Sequence, residues 1–144
     1  MSGGPNILLV DDHPGTVRQL IEASAGRFSE AIFTVAISGE DALMRLSEGL
    51  VPQAILLDLT LPMLSGFQVL ERIRSDPVLK DVPVIIFTVD DSDAARHACK
   101  RLGASYYQVK PSSRTGYSAF ATFLSAGLEH GAFFASPGAD SRPA

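Results

Sequence analysis

Residues 54–66 read AILLDLTLPMLSG: four apolar residues, Ala54 to Leu57, run straight into the carboxylate of Asp58 and then into the turn residues Pro62 and Gly66. An unbroken apolar run of strand length, bounded by turn residues, fits a strand covered on both faces, as in a parallel sheet. Asp58 then stands at the C-terminal edge of that sheet. In open parallel sheets ligands bind in the crevice outside those strand ends, so the chemistry depends on what else the chain delivers there.

Upstream, Ile7 to Val10 form a second apolar run that also ends on carboxylates, Asp11 and Asp12. Pro14 suits a first helical position, and Val17, Leu20 and Ile21 recur at the spacing of a helix burying one face. Ile32 to Ala36 is the second strand. Ser38, with Asp41 three residues on, opens a second helix with Ala42, Leu43 and Leu46 inward. Gly49 and Pro52 lead back to the 54–57 strand.

Downstream, Ser65 and Gln68 have capping-box spacing, and Phe67, Leu70 and Ile73 supply the inner face of a third helix that Asp76 and Pro77 stop. The fourth strand, Val84 to Phe87, ends at Thr88. A polar patch, Asp90 to Asp93, opens a fourth helix with Ala94, Ala95, Ala98, Cys99 and Leu102 inward and Gly103 as its cap. The fifth strand, Tyr106 to Val109, ends at Lys110 and Pro111. A fifth helix from about Thr115 to Leu128 is apolar on more than one side, through Tyr117, Phe120, Phe123, Leu124 and Leu128.

Five strands alternating with five helices imply right-handed crossovers and an α/β fold, a doubly wound five-stranded parallel sheet with helices on both faces. The expected organisation is a short lead over 1–5, one domain over 6–130 and a flexible tail over 131–144. At 144 residues, 46% apolar and 19% charged, the chain has the makings of one compact domain. Net charge is -4 with the basic residues scattered, which argues against a nucleic-acid surface. A single cysteine, Cys99, excludes an internal disulfide framework, and neither a signal peptide nor a membrane-spanning run is present, so a cytoplasmic protein is expected.

Five strand-end residues thus converge on one edge: Asp11, Asp12, Asp58, Thr88 and Lys110. Carboxylates ~4 Å apart repel by roughly 4 kcal/mol at an effective dielectric of about 20, so they require a cation or a proton between them. An all-oxygen cluster suits Mg2+. A hydroxyl and an ammonium beside it suit a tetrahedral anion, and a carboxylate can be a covalent nucleophile in phosphoryl transfer. His13, His97 and His130 lack ligand spacing and read as surface or helix-end residues. Cys99 reads as a small buried hydrophobe.

The ordered set LLVDD (8–12), LLDLTLP (56–62), VIIFT (84–88) and VKP (109–111) resembles the receiver domains of two-component response regulators, from about Asn6 to Leu128. The run SDPVLKDVPVIIFT (75–88) looks most like stand-alone receivers, including those paired with phytochrome-type kinases.

The resemblance implies the flavodoxin-like strand order 2-1-3-4-5, with Asp58 accepting a phosphoryl group from a phosphohistidine on a sensor histidine kinase or phosphotransfer protein. Asp11, Asp12, Asp58 and the backbone carbonyl of Thr60 would hold Mg2+. Lys110 and Thr88 would bind the phosphoryl oxygens, and Tyr107 would change rotamer with Thr88. It further implies a cis Lys110–Pro111 bond, and Thr60 and Val89 as the side chains that modulate access. Val89 is bulkier than the small residue usual there, which predicts slow labelling by small phosphodonors.

The expected function is a single-domain response regulator rather than an enzyme, acting on a downstream protein target. Its output surface is the fourth helix, fifth strand and fifth helix, which would also serve a homodimer. The alternatives are a phosphorylation-independent adaptor, or a phosphate sink or relay. An aspartate-nucleophile phosphohydrolase is a third reading, against which stands the acid pair preceding the nucleophile.

Overall fold

The computed structural model describes residues 5–26 and 31–130; the expected tail, and the lead apart from Pro5, lie outside the described residues. Ten elements follow one another: β1 Asn6–Val10, α1 Pro14–Ala25, β2 Ile32–Ala36, α2 Gly39–Ser47, β3 Ala54–Leu57, α3 Gly66–Ser75, β4 Val84–Thr88, α4 Asp93–Arg101, β5 Tyr106–Val109 and α5 Arg114–His130. The strands form one parallel sheet in the order β2-β1-β3-β4-β5, as expected.

Alternation along the strands divides the interior into two cores. Leu8, Val10, Ile55, Leu57, Val84 and Ile86 meet Ala42 and Leu46 of α2, Val69, Leu70 and Ile73 of α3, and Ala95 and Cys99 of α4. Ile7, Leu9, Leu56, Ile85 and Phe87 meet Leu20 of α1 and Tyr117, Phe120 and Leu124 of α5. With both faces covered, the central strands carry no polar residue until their ends, which is why each apolar run stops at the functional edge.

Helix starts follow local chemistry. Ser38 accepts a hydrogen bond from the Asp41 N–H, Ser92 accepts one from Ala95, and Ser65 with Gln68 forms the full capping box. Helix phase departs from the expected pattern in several places. The buried positions of α1 are Thr16, Leu20 and Ser24, four residues apart, which rotates Ile21 into solvent. In α3, Val69 is buried and Phe67 only half-buried. In α4, Ala94 is exposed and Arg96 is buried with Ala95 and Cys99. The second apolar side of α5 has an internal partner, since the Phe123 ring lies 4.4 Å from that of Tyr106.

The edge of the sheet opposite the strand C-termini is fastened by Arg74 of α3. Its Nε donates to the Gly103 carbonyl at 2.8 Å, Nη1 to the Val82 and Lys80 carbonyls at 2.8 and 3.1 Å, and Nη2 to Ser105 Oγ at 3.2 Å. Gly103 has φ of +96°, and a Cβ there would press on the Arg74 side chain at 3.2 Å.

Candidate functional site

Register alone brings the acids together. Val10 pairs with Leu57, so the next residues, Asp11 and Asp58, extend the ladder side by side, with Asp11 N donating to the Ala36 carbonyl and Asp58 N to that of Val10. On the far side Thr88 pairs with Val109, and the Lys110 N–H donates to the Thr88 carbonyl at 2.7 Å. Asp11 and Asp58 are each 1% exposed. The Lys110 Nζ, on a side chain 6% exposed, reaches both, 2.8 Å from Asp11 Oδ2 and 3.1 Å from Asp58 Oδ2. Burial alone would lower the Lys110 pKa, but the hydrogen bond and charge of Asp11, with those of Asp58, outweigh it and raise it. Lys110 is therefore an ammonium.

The other Asp58 oxygen, Oδ1, accepts the Thr60 N–H at 3.1 Å. Asp12 lies beside the pair at the solvent side. His13 is also there: its Nδ1 is 2.8 Å from Asp11 Oδ1, 3.2 Å from Asp12 Oδ1 and 3.4 Å from Asp58 Oδ2. It occupies the N-cap of α1, as a helix-end residue, but caps nothing with its side chain. The reading of His13 as a surface or helix-end residue holds, but its proximity to the three acids was not foreseen. The available signal was its position directly after two clustered acids. Atoms of Asp11, Asp12, His13 and Asp58 lie within 4.8 Å of one another, a donor set able to hold a metal ion. One ammonium against two buried carboxylates leaves negative charge for such an ion to balance.

Thr88 is fully buried, and its Oγ1 accepts the Asp90 N–H at a long 3.4 Å. The Asp90 carbonyl accepts the hydroxyl of buried Tyr107 at 2.6 Å. Burial, then the Asp90 charge, push the Tyr107 phenol well above its ordinary range, so it stays a donor at neutral pH. Val89, between Thr88 and Asp90, is 68% exposed. Cys99 is buried as expected, and burial with Asp90 pushes its thiol up to about 12. The expected cis Lys110–Pro111 bond is not found. No described peptide bond is cis. The trans amide is intrinsically preferred even before proline, and with it Lys110 already reaches both carboxylates.

The loop leaving Asp58 is tight. Gly66, first residue of α3, donates to the Leu59 carbonyl, and a Cβ on it would lie 2.3 Å from the Asp58 carbonyl oxygen and 2.7 Å from Leu59 Cα. These are backbone atoms and cannot swing aside. Gly66→Ala is expected to lower stability by about 3 kcal/mol, at or above the upper end of ordinary overpacking, and to displace Asp58. A urea midpoint equal to wild type would refute that reading.

A family model described as response regulator receiver domain matches residues 7–118, a range that contains every strand-end residue above. The chain belongs to the response regulator receiver family. This receiver is 36% identical over 107 residues to the probable transcriptional regulator ycf27 of Guillardia theta, covering 74% of this chain and 40% of that protein. It is 30% identical over 107 residues to the two-component response regulator ORR3 of Oryza sativa subsp. indica, covering 74% of this chain and 80% of ORR3. Among solved structures it superposes on the phosphorylated cyanobacterial phytochrome response regulator RcpA with a TM-score of 0.81 at 25% identity, over 87% of this chain and 94% of that one. The receiver therefore spans less than half of ycf27 and most of ORR3. Among the described residues, no helix is long and apolar enough to cross a membrane.

Proposed function

We propose that this receiver accepts a phosphoryl group on Asp58 from a phosphohistidine of a sensor kinase or phosphotransfer protein, and signals as a single domain by phosphorylation-dependent protein binding. The observation that carries the reading is the Asp58 carboxylate, 1% exposed at the end of β3, with Lys110 Nζ 3.1 Å from its Oδ2 and the acids Asp11 and Asp12 beside it. An Asp58 oxygen attacks phosphorus, the phosphorus–nitrogen bond breaks, and the imidazole leaves with the electron pair of that bond.

Asp11, Asp12, Asp58 and the Thr60 carbonyl would hold Mg2+, which when bound supplies positive charge to the phosphoryl oxygens. Lys110, freed from Asp58 when that carboxylate becomes an acyl phosphate, pairs with a phosphoryl oxygen. The Thr88 hydroxyl turns toward another, releasing the Asp90 N–H, and Tyr107 lies next along that path. The output face is α4, β5 and α5, for a downstream protein or a second copy of the chain. Residues 6–130 act as one domain in this scheme, in the cytoplasm.

Incubation with a histidine kinase, ATP and Mg2+, followed by peptide mass mapping, tests the proposal. One labile phosphoryl adduct on Asp58 is the expected result. An adduct elsewhere, or none with any kinase, would overturn it, the second outcome favouring an adaptor.

Val89 is exposed and follows Thr88 in the chain, and in this reading its side chain limits access to Asp58. Val89→Ala is expected to speed both labelling by a small phosphodonor and loss of the label several-fold, without changing stability. If both rates stay at wild-type values, Val89 does not guard the route.

A further inference from the structure

The inner stripe of α4 contains a cation. Arg96 is buried, its side chain 6% exposed, in a position where helical spacing would place an apolar residue. A buried guanidinium needs partners, and Arg96 has them on two sides. Its carbon centre lies 4.7 Å above the centroid of the Tyr107 ring, and its Nη2 donates to Asp91 Oδ1 at 2.7 Å. The planar fork suits both contacts at once, stacking on the ring while holding the carboxylate.

These contacts form a series running inward: Asp91 to Arg96, Arg96 to the Tyr107 ring, the Tyr107 hydroxyl to the Asp90 carbonyl at 2.6 Å, and the Asp90 N–H to Thr88 Oγ1 at 3.4 Å. Their lengths rank them. The charge-assisted bond and the phenol bond are short, whereas the Thr88–Asp90 contact is at the limit of a hydrogen bond. When Thr88 is drawn toward Asp58, the weak link is the one that gives. Moving Tyr107 outward would instead break its hydroxyl bond and strip the guanidinium of its aromatic cover.

We propose that Arg96 is a positioning residue that pins Tyr107 in its buried seat, so that phosphorylation moves Thr88 and the loop from Val89 to Ser92 while the tyrosine stays in place. This deepens the phosphoacceptor reading and rests on it for its second half. The first half, the pinning itself, stands on the unmodified protein.

Fluorine NMR of the full chain labelled with fluorotyrosine tests it, the Tyr107 signal being assigned by its loss in Tyr107→Phe. Wild type is expected to give one narrow Tyr107 resonance, scarcely shifted by beryllofluoride with Mg2+. Arg96→Met is expected to reduce the ratio of seated to outward ring by about tenfold, giving a second or exchange-broadened resonance that beryllofluoride now moves. Asp91→Asn, at an exposed side chain that cannot threaten folding, should shift the ratio in the same direction by less, and Arg96→Lys should restore part of it. The proposal is overturned if Arg96→Met and Asp91→Asn both leave the resonance as in wild type, or if wild-type Tyr107 itself shows two positions exchanged by beryllofluoride. Should beryllofluoride leave the backbone amides around Asp58 of wild type unmoved, the phosphoacceptor reading fails, and the comparison without it still decides the pinning.

Discussion

Asp58→Asn abolishes phosphoryl labelling and, with metal removed by a chelator, makes the protein more stable than wild type; this opposed pair of effects is the expected result. The amide has nearly the shape of the carboxylate and keeps an oxygen to accept the Thr60 N–H, but it is not nucleophilic. In the absence of metal it also removes one of two buried carboxylates whose ligand atoms lie within 4.8 Å of each other. Repulsion at that distance amounts to roughly 3 kcal/mol at an effective dielectric of about 20. Lys110 offsets part of it, so a net gain of about 1 kcal/mol is expected.

Saturating Mg2+ reverses the order, because an ion at a hundred times its dissociation constant stabilises the form that binds it by about 2.7 kcal/mol. Urea melts of both proteins with chelator and with Mg2+, beside the labelling assay, check all four quantities. A wild type more stable than the variant under chelation would mean that Lys110 fully neutralises the pair.

Lys110→Met acts in the other direction. It removes the one ammonium that touches both Asp11 and Asp58, leaving two carboxylates, each 1% exposed, without their cation. Removing one partner from a buried ionic cluster costs about 3–5 kcal/mol. Part of that should return when Mg2+ is added, whereas phosphoryl labelling should remain impaired, because in the proposed mechanism Lys110 pairs with a phosphoryl oxygen. A loss of stability below about 1 kcal/mol under chelation, measured by the same melts, would show that the two acids do not depend on Lys110.

The sign of the pH effect follows from the raised Lys110 pKa. A cation held above its unfolded value contributes fully below that value, about 10.4 for lysine, and loses its contribution only as the pH rises through the folded pKa. The Lys110 contribution should therefore be constant from neutral pH to about pH 9 and fall only in strong alkali.

The order of the strands and the edge that carries Asp11, Asp58, Thr88 and Lys110 could be read in the sequence for one physical reason. A central strand covered on both faces tolerates no polar residue, so the first carboxylate, hydroxyl or ammonium after an apolar run marks where the sheet meets solvent. Helices gave a weaker signal. In α1 and α4 several phases are compatible with scattered alanines and small residues, so Ile21 and Ala94 were expected inside and Arg96 was not.

Arg96 is hidden from periodicity because its burial depends on two residues from other segments, the Tyr107 ring and the Asp91 carboxylate. His13 escaped because metal-ligand spacing looks for its partners on one element, while here Asp58 arrives from β3. The Lys110–Pro111 bond was expected to be cis through resemblance alone; nothing in the residues themselves required it, and the intrinsic trans preference prevails.

The Arg74 fastening at the opposite edge gives the molecule a mechanical polarity. Three carbonyls and a hydroxyl, from the approach to β4 and the turn before β5, converge on one guanidinium, so those two strands behave as cantilevers clamped at their roots and tied at their tips to each other and to the two acids. A push at Thr88 or Lys110 cannot be absorbed by sliding the strands bodily along the sheet. A displacement there is directed into the strand tips, the same edge that the proposed signalling uses.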